Sequence, residues 1–253
     1  MALITLLTDF GLADTYVGQM KGAVLSVLPN AIVVDLTHTV PAQDIVAGAF
    51  LLWTAVEVFP PDSIHLAVVD PGVGSARRGL ALRSRRGDVF VGPDNGLLMP
   101  AARRLGGVDV AIELNRAEYW RPRGSSTFHG RDIFGPVAGH IASGVRLEDV
   151  GSTLADPIDL ALPEPRGLEG EVVHVDAYGN LVTNLAAANL PPRFNVRLGA
   201  YLIRQAHAYA DVASGELLAL VGSAGLLEIS ARDASAASIT TARRGTRVSL
   251  ELA

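Results

Sequence analysis

Residues 3–38 read LITLLTDFGLADTYVGQMKGAVLSVLPNAIVVDLTH. Two short apolar runs, LITLLTDF and AIVVDLTH, each close on polar residues. Between them TYVGQMKGAVLSVLP carries apolar positions at helical spacing until Pro29-Asn30 stops it. Continuous apolar runs of this length suit parallel strands buried on both faces, and strand, helix, strand is the unit from which such sheets are wound with right-handed crossovers. The alternation continues outward. AQDIVAGAFLLWTAVEVFP (42–60) predicts a second helix, ended by Pro60-Pro61. SIHLAVVD, GLALRS and DVFVGPDN read as strands, GLLMPAARRLG as a helix and VDVAIEL as a strand, and a further helix starts near His129 and runs through IFGPVAGHIAS. The expectation is an α/β domain with a mostly parallel sheet over residues 1–152.

The pattern changes after residue 152. ADPIDLALPEPRG (155–167) has three prolines and no periodicity, so residues 153–167 are expected to be a linker. From LEGEVVHVDAYGNLVTN onward the order becomes strand, turn, strand, with FNVRLG, ELLALVGSAGLLEISA and TRVSLELA as further strands. Residues 168–253 are therefore expected to form a smaller all-β, barrel-like domain.

Composition removes several function classes. The 253-residue chain has 19% charged and 6% aromatic residues and a formal net charge of -5. It offers no basic stripe for a nucleic acid, and RSRRGD (83–88), which contains its own acid, reads as a hairpin or strand end. With no cysteine, disulfides, thiolate catalysis and cysteine-held metal centres are excluded. The start MALITLLTDF lacks the basic residues and cleavage site of a signal peptide, and no stretch approaches the ~20 apolar residues of a membrane span. A cytoplasmic protein with no membrane partner is the expectation.

Ligands of open α/β sheets bind beyond the carboxyl ends of the strands. Polar residues there are Asp9, Asp35, His38, Asp70 and Asp94-Asn95. Such carboxylates either gather a magnesium ion, as in phosphohydrolases, or cap helices and close turns. Asp9, followed by Phe-Gly, can turn a carboxylate toward a ligand, and Asp14 falls near a helix start, where an N-cap is the simpler role. No phosphate-binding glycine loop is present, which disfavours a triphosphate. The six histidines show no metal-ligand spacing, so no metal is expected. His65 and His140 fall inside a strand and a helix and read as structural, whereas His129 lies in a Ser/Thr/Gly-rich turn beside Arg131 and Asp132.

LLTDFG, VVDPGVGSARR, GPDNGLL, STFHGRDIFGPVA and DAYGNLVTN occur in one order along the chain. This set resembles the adenosine-forming S-adenosylmethionine hydrolases, also called S-adenosylmethionine hydroxide adenosyltransferases, which are related to fluorinase and chlorinase. The resemblance runs from about residue 3 to about residue 250. It implies a nucleoside-binding catalytic first domain, S-adenosylmethionine as substrate with no cofactor, and a homotrimer whose sites lie at subunit interfaces. It also implies a catalytic set of Asp70, Arg77 and His129. By the same resemblance Asp9 holds the ribose hydroxyls, Asp14, Asp176 and Ser223 stand near the methionine amino and carboxylate groups, Tyr178 and Asn180 face adenine, and Arg232 contacts adenine. The halide-using relatives carry an aromatic residue in place of the aspartate and lack the histidine, and fluorinase has an inserted loop after the arginine for which this chain has no room. Two positions depart from fluorinase: Gln43 stands for a tryptophan and Ala224 for an arginine. The implied activity is hydrolysis by an activated water; the alternatives are a halide-using transferase and a non-catalytic binder of S-adenosylmethionine or adenosine.

Overall fold

A computed structural model of the chain describes residues 2–252 and resolves them into two compact units, one ending at Leu162 and the other beginning at Pro163. In the first, β1 (Leu3–Thr8) pairs in parallel with β2 (Ile32–Thr37) and with β3 (Ile64–Val68). The next strands are β4 (Gly79–Ser84), β5 (Val89–Pro93), β6 (Val108–Glu113) and β7 (Ser152–Thr153). The sheet order is β2-β1-β3-β5-β4-β6-β7. The β3–β5 pairing is also parallel; those of β4 with β5 and β6, and of β6 with β7, are antiparallel. Half of the sheet is thus the wound parallel structure that the opening stretch predicts. The other half turns antiparallel because RSRRGD closes a tight hairpin from β4 into β5, as its composition anticipates.

Four helices cover the sheet: α1 (Tyr16–Val27), α2 (Ile45–Ala55), α3 (Met99–Arg104) and α4 (Gly135–Ala142). Alternate strand residues face opposite layers. Ile4, Leu6, Leu66 and Val68 pack with Val17, Met20 and Val24 of α1 and Val137 of α4. Leu7, Ala67 and Val69 pack with Ala49 and Leu52 of α2 and Ala101 of α3. Fully burying each large aliphatic side chain contributes roughly 1.5–3 kcal/mol, and period-2 alternation inside continuous apolar runs lets one strand supply both layers. Asp44 caps α2 by accepting the Ala47 N–H at 3.0 Å. The α1 N-cap position falls to Thr15, which makes no side-chain capping bond, so Asp14 does not take the N-cap role. The helix expected from His129 opens as a π-turn, Gly130–Phe134, before continuing as α4.

Residues 154–162 have no regular structure and are fastened to the first unit. Leu160 and Leu162 pack against the α2–α3 layer, and Asp94 accepts the Ile158 N–H at 2.8 Å. The second unit is an all-antiparallel sheet of β8 (Glu169–Val175), β9 (Leu181–Ala186), β10 (Phe194–Leu198), β11 (Tyr201–Arg204), β12 (Leu217–Val221), β13 (Leu226–Ala231) and β14 (Arg247–Leu252), with α5 (Ala236–Thr240) before the last strand. Its order is β11-β10-β14-β8-β9-β13-β12. The Ala206 N–H donates to the Ala219 carbonyl at 2.8 Å beyond β11, which nearly closes the sheet into a barrel around Val172, Leu181, Val196 and Ile229. Among the described residues no helix is long and apolar enough to cross a membrane.

Candidate active site

β3 ends at Val68, and because β5 is inserted between β3 and β4 the ten-residue crossing 69–78 passes over the carboxyl end of β5 before β4 starts at Gly79. Asp70 and Arg77, near its two ends, therefore return to the same edge of the sheet. Arg77 Nη2 and Nε donate to the two Asp70 oxygens at 2.5 and 3.1 Å, a two-pronged charged pair. Arg77 Nη1 donates to the Arg78 carbonyl at 2.9 Å, and Nη2 also lies 3.0 Å from His129 Nδ1. An arginine has no lone pair to offer, so Nδ1 is the acceptor and the imidazole proton resides on Nε2. Asp70, Arg77 and His129, separated by up to 59 positions in the chain, form one connected cluster.

The cluster stands at the wall of a cavity of about 640 Å³ in the first unit. Asp70 and His129 line it; Arg77, with a side chain only 8% exposed, holds both of them. Asp9 lines the same cavity, with one oxygen accepting the Gln43 N–H at 2.8 Å. Gln43 adopts φ +64°, an unusual conformation for a residue with a side chain, and it is this geometry that presents its N–H to Asp9. The apolar wall comes from Phe10, Tyr16 and Phe128, whose rings meet edge to face with centroids 5.4–6.2 Å apart. Each adjoins a sequence motif, yet nothing in the linear order shows that the three converge.

Burial sets the charge states. It raises the Asp70 carboxyl above its ordinary 3.8, against the pull of the Arg77 cation and its hydrogen bonds. It lowers the His129 imidazole below its ordinary 6.5, reinforced by Arg77 and opposed by Asp70 and Asp132. The two-pronged Arg77 pair is the geometry of an ionised carboxylate, burial makes that carboxylate more basic than usual, and it stands beside an imidazole that burial holds uncharged with its N–H on Nε2.

The other strand-end polar groups are individually paired. Asp35 accepts from Lys21 at 2.6 Å and lies 3.0 Å from His38 Nε2, while His38 Nδ1 meets Thr8 Oγ1 at 2.9 Å. Asp94 binds Arg78 at 2.7 Å. His65 is fully buried against Thr5 and Asp88, as a structural histidine should be. Among the described residues no three His, Asp or Glu side chains are grouped so as to share a metal ion.

Asp14 is exposed in the turn before α1. The remaining expected residues belong to the second unit. Asp176 accepts the N–H groups of Tyr178 and Asn180 at 2.9 and 2.8 Å and the Asn180 side-chain amide at 2.9 Å, so its carboxylate organises the β8–β9 turn. Tyr178 is 81% exposed at the tip of that turn and Asn180 is buried within it. Ser223 and Ala224 lie in the β12–β13 turn, and Arg232 donates to the Val212 carbonyl at 2.9 Å. The structure therefore brings Asp9, Asp70, Arg77 and His129 around one cavity and gathers Asp176, Tyr178 and Asn180 in one turn. Sequence reasoning passed over Glu228, a buried carboxylate that accepts from Tyr209 and Ser230, each at 2.7 Å; the signal was a single acid inside the apolar run GLLEISA.

The α/β unit and the antiparallel β unit each match a domain of one enzyme family. The chain belongs to the SAM hydroxide adenosyltransferase family: residues 4–151 match the model of its N-terminal domain and residues 170–249 that of its C-terminal domain. It is 42% identical to the (R)-S-adenosyl-L-methionine hydrolase of Salinispora tropica, over 97% of this chain and 96% of that one. The crystal structure of an uncharacterized conserved protein from Thermotoga maritima superposes with a TM-score of 0.92 at 35% identity, covering 98% of this chain and all of the other. The fluorinase of Nocardia brasiliensis is more distant, at 28% identity over 74% of this chain and 72% of that one.

Proposed function

We propose that the protein hydrolyses S-adenosyl-L-methionine to adenosine and L-methionine, acting on the R epimer at sulfur for which its relatives are named. The observation that carries this is the placement of Asp70 and His129 on the same cavity as Asp9, with Arg77 bridging the first two. One water, held between the Asp70 carboxylate and the His129 Nε2–H, attacks the ribose 5′ carbon in line with the departing sulfur. Asp70 takes the water proton as general base, help typically worth roughly 100- to 10,000-fold. His129 orients the oxygen, and Arg77 positions both partners. Asp9 holds the ribose hydroxyls with the oxygen that Gln43 leaves free.

The sulfonium departs as a neutral thioether, so the reaction calls for no general acid, metal or cofactor. Charge is lost as oxygen approaches the cation, and an aromatic wall that excludes bulk water favours that loss. A halide in the same place would face the Asp70 carboxylate, which is why water is the supported nucleophile.

The first domain is the nucleoside-binding catalytic one. In a homotrimer, Asp176, Tyr178, Asn180, Ser223 and Arg232 of one subunit's β domain would complete the cavity of the next, with Asp14 near the methionine end. A cytoplasmic location belongs to the same reading. The test is incubation of purified protein with each sulfur epimer in halide-free buffer. Equimolar adenosine and methionine from the R epimer is the expected result; no adenosine, or turnover only after halide is added, would contradict it.

A further inference from the structure

Residues 121–128 have neither strand nor helix, and they deliver His129 at the point where the helical turn begins. This stretch supplies Ser125, Thr127 and Phe128 to the cavity wall as well as His129 itself, and Arg123 within it takes φ +58°. An irregular segment that must hold a side chain to within a fraction of an ångström needs something to be built against. The structure supplies one buried carboxylate, Asp132, with a side chain only 2% exposed.

Four contacts converge on its carboxylate, and two backbone hydrogen bonds hold the residue itself. Its Oδ2 accepts the Ser125 N–H at 2.6 Å and Arg131 Nη2 at 2.8 Å, and its Oδ1 accepts Arg131 Nε at 2.7 Å. Arg121 Nη1 lies 3.7 Å from Oδ1, and the Arg121 N–H donates to the Asp132 carbonyl at 2.8 Å. The Asp132 N–H in turn donates to the Phe128 carbonyl at 3.1 Å. Gly124 passes so close that a Cβ there would stand 3.2 Å from the Asp132 Cβ. Arg131 extends the assembly outward: its Nη1 donates to Gln19 of α1 at 2.8 Å, and its guanidinium lies 4.9 Å from the centre of the Phe128 ring. Asp132 occupies the middle of the π-turn, a local widening of the helix often found at functional sites. The irregular stretch is thus wrapped around one carboxylate three residues beyond the imidazole it delivers.

We propose that Asp132 is the positioning residue of the site, the post that sets His129 against Arg77. This rests on the hydrolase reading above. It touches neither cavity nor substrate in that reading and acts only through the stretch it anchors. Displacing a reacting group by about 1 Å costs on the order of a hundredfold in rate.

The test is Asp132→Asn, which keeps the shape and one acceptor but gives up the charge and the second acceptor. It is measured for kcat and KM with the epimer turned over, for thermal stability, and for the ring-nitrogen resonances of labelled His129. The expected result is kcat lower by about ten- to a hundredfold with KM within about threefold. The His129 resonances shift, and the Ser125 amide exchanges faster. Gly124→Ala, which pushes the stretch off Asp132 while leaving every polar group in place, should lower kcat and move the His129 resonances in the same way, and it decides the matter if Asp132→Asn does not fold. Unchanged kcat overturns the proposal, and so does a fall in kcat with His129 resonances unmoved. If the unaltered protein turns over neither epimer, the hydrolase reading fails, while the His129 resonances still decide whether Asp132 positions that ring.

Discussion

At the scale of single residues, the chemistry reduces to what burial does to Asp70 and His129. A carboxylate that must be ionised and an imidazole that must be neutral are both silenced by acid. Asp70 is lost as pH falls through a value raised above 3.8, and His129 as pH falls through a value lowered below 6.5. The acid limb of kcat should therefore follow whichever of the two titrates higher, centred above 3.8, with activity kept on its alkaline side; activity that rises as the solution is made acidic would refute the charge assignment. Asp70→Asn should lower kcat by roughly 100-fold or more while adenosine binding, followed by calorimetry, persists. Asp70, Arg77 and His129 were legible in the sequence because each sits in a motif. The direction of the Arg77 guanidinium was not: that one side chain serves both partners depends on β5 being inserted between β3 and β4, which no periodicity reports. The part Asp176 plays in holding the β8–β9 turn was not legible either, since its three hydrogen bonds exist only once the turn has formed.

At the scale of elements, the loops of the site fit together with little tolerance. Gly74, at φ +77°, lies against Ser126; a Cβ there would stand 2.4 Å from the Ser126 carbonyl oxygen. Gly74→Ala should push the Asp70–Arg77 crossing away from the His129 stretch, lowering kcat and costing about 1–3 kcal/mol of stability by denaturant titration. An unaltered rate would mean that the two loops move independently. Elsewhere the strands carry their own acid sensitivity. Burial alone would raise Asp88, but the Arg86 fork and His65 hold it at about 2. A lowered carboxyl stabilises the fold above its ordinary 3.8, and that stabilisation fades as pH falls toward 2; it amounts to roughly 2 kcal/mol. Asp88→Asn should flatten the stability profile over that window. Strands and helices were readable from the opening stretch because two-sided burial demands unbroken apolar runs. The antiparallel half of the first sheet was less so, because RSRRGD reads as a strand end as readily as the hairpin that reverses the chain. β7, two residues long, and the π-turn leave no periodic trace either.

At the scale of the whole molecule, membership of the SAM hydroxide adenosyltransferase family accounts for an α/β unit joined to a β unit in one chain. The proposed trimer makes activity depend on concentration: dilution below the assembly constant should lower specific activity in step with the sedimentation change, whereas a monomer of full activity would remove the shared site. The central claim, that one water held by Asp70 and His129 attacks the ribose 5′ carbon, is tested most directly by turnover in oxygen-18 water with mass analysis of the products. The account predicts one heavy oxygen, carried on the 5′ hydroxyl of adenosine, and none in methionine. Unlabelled adenosine, or label found in the methionine fragment, would contradict it.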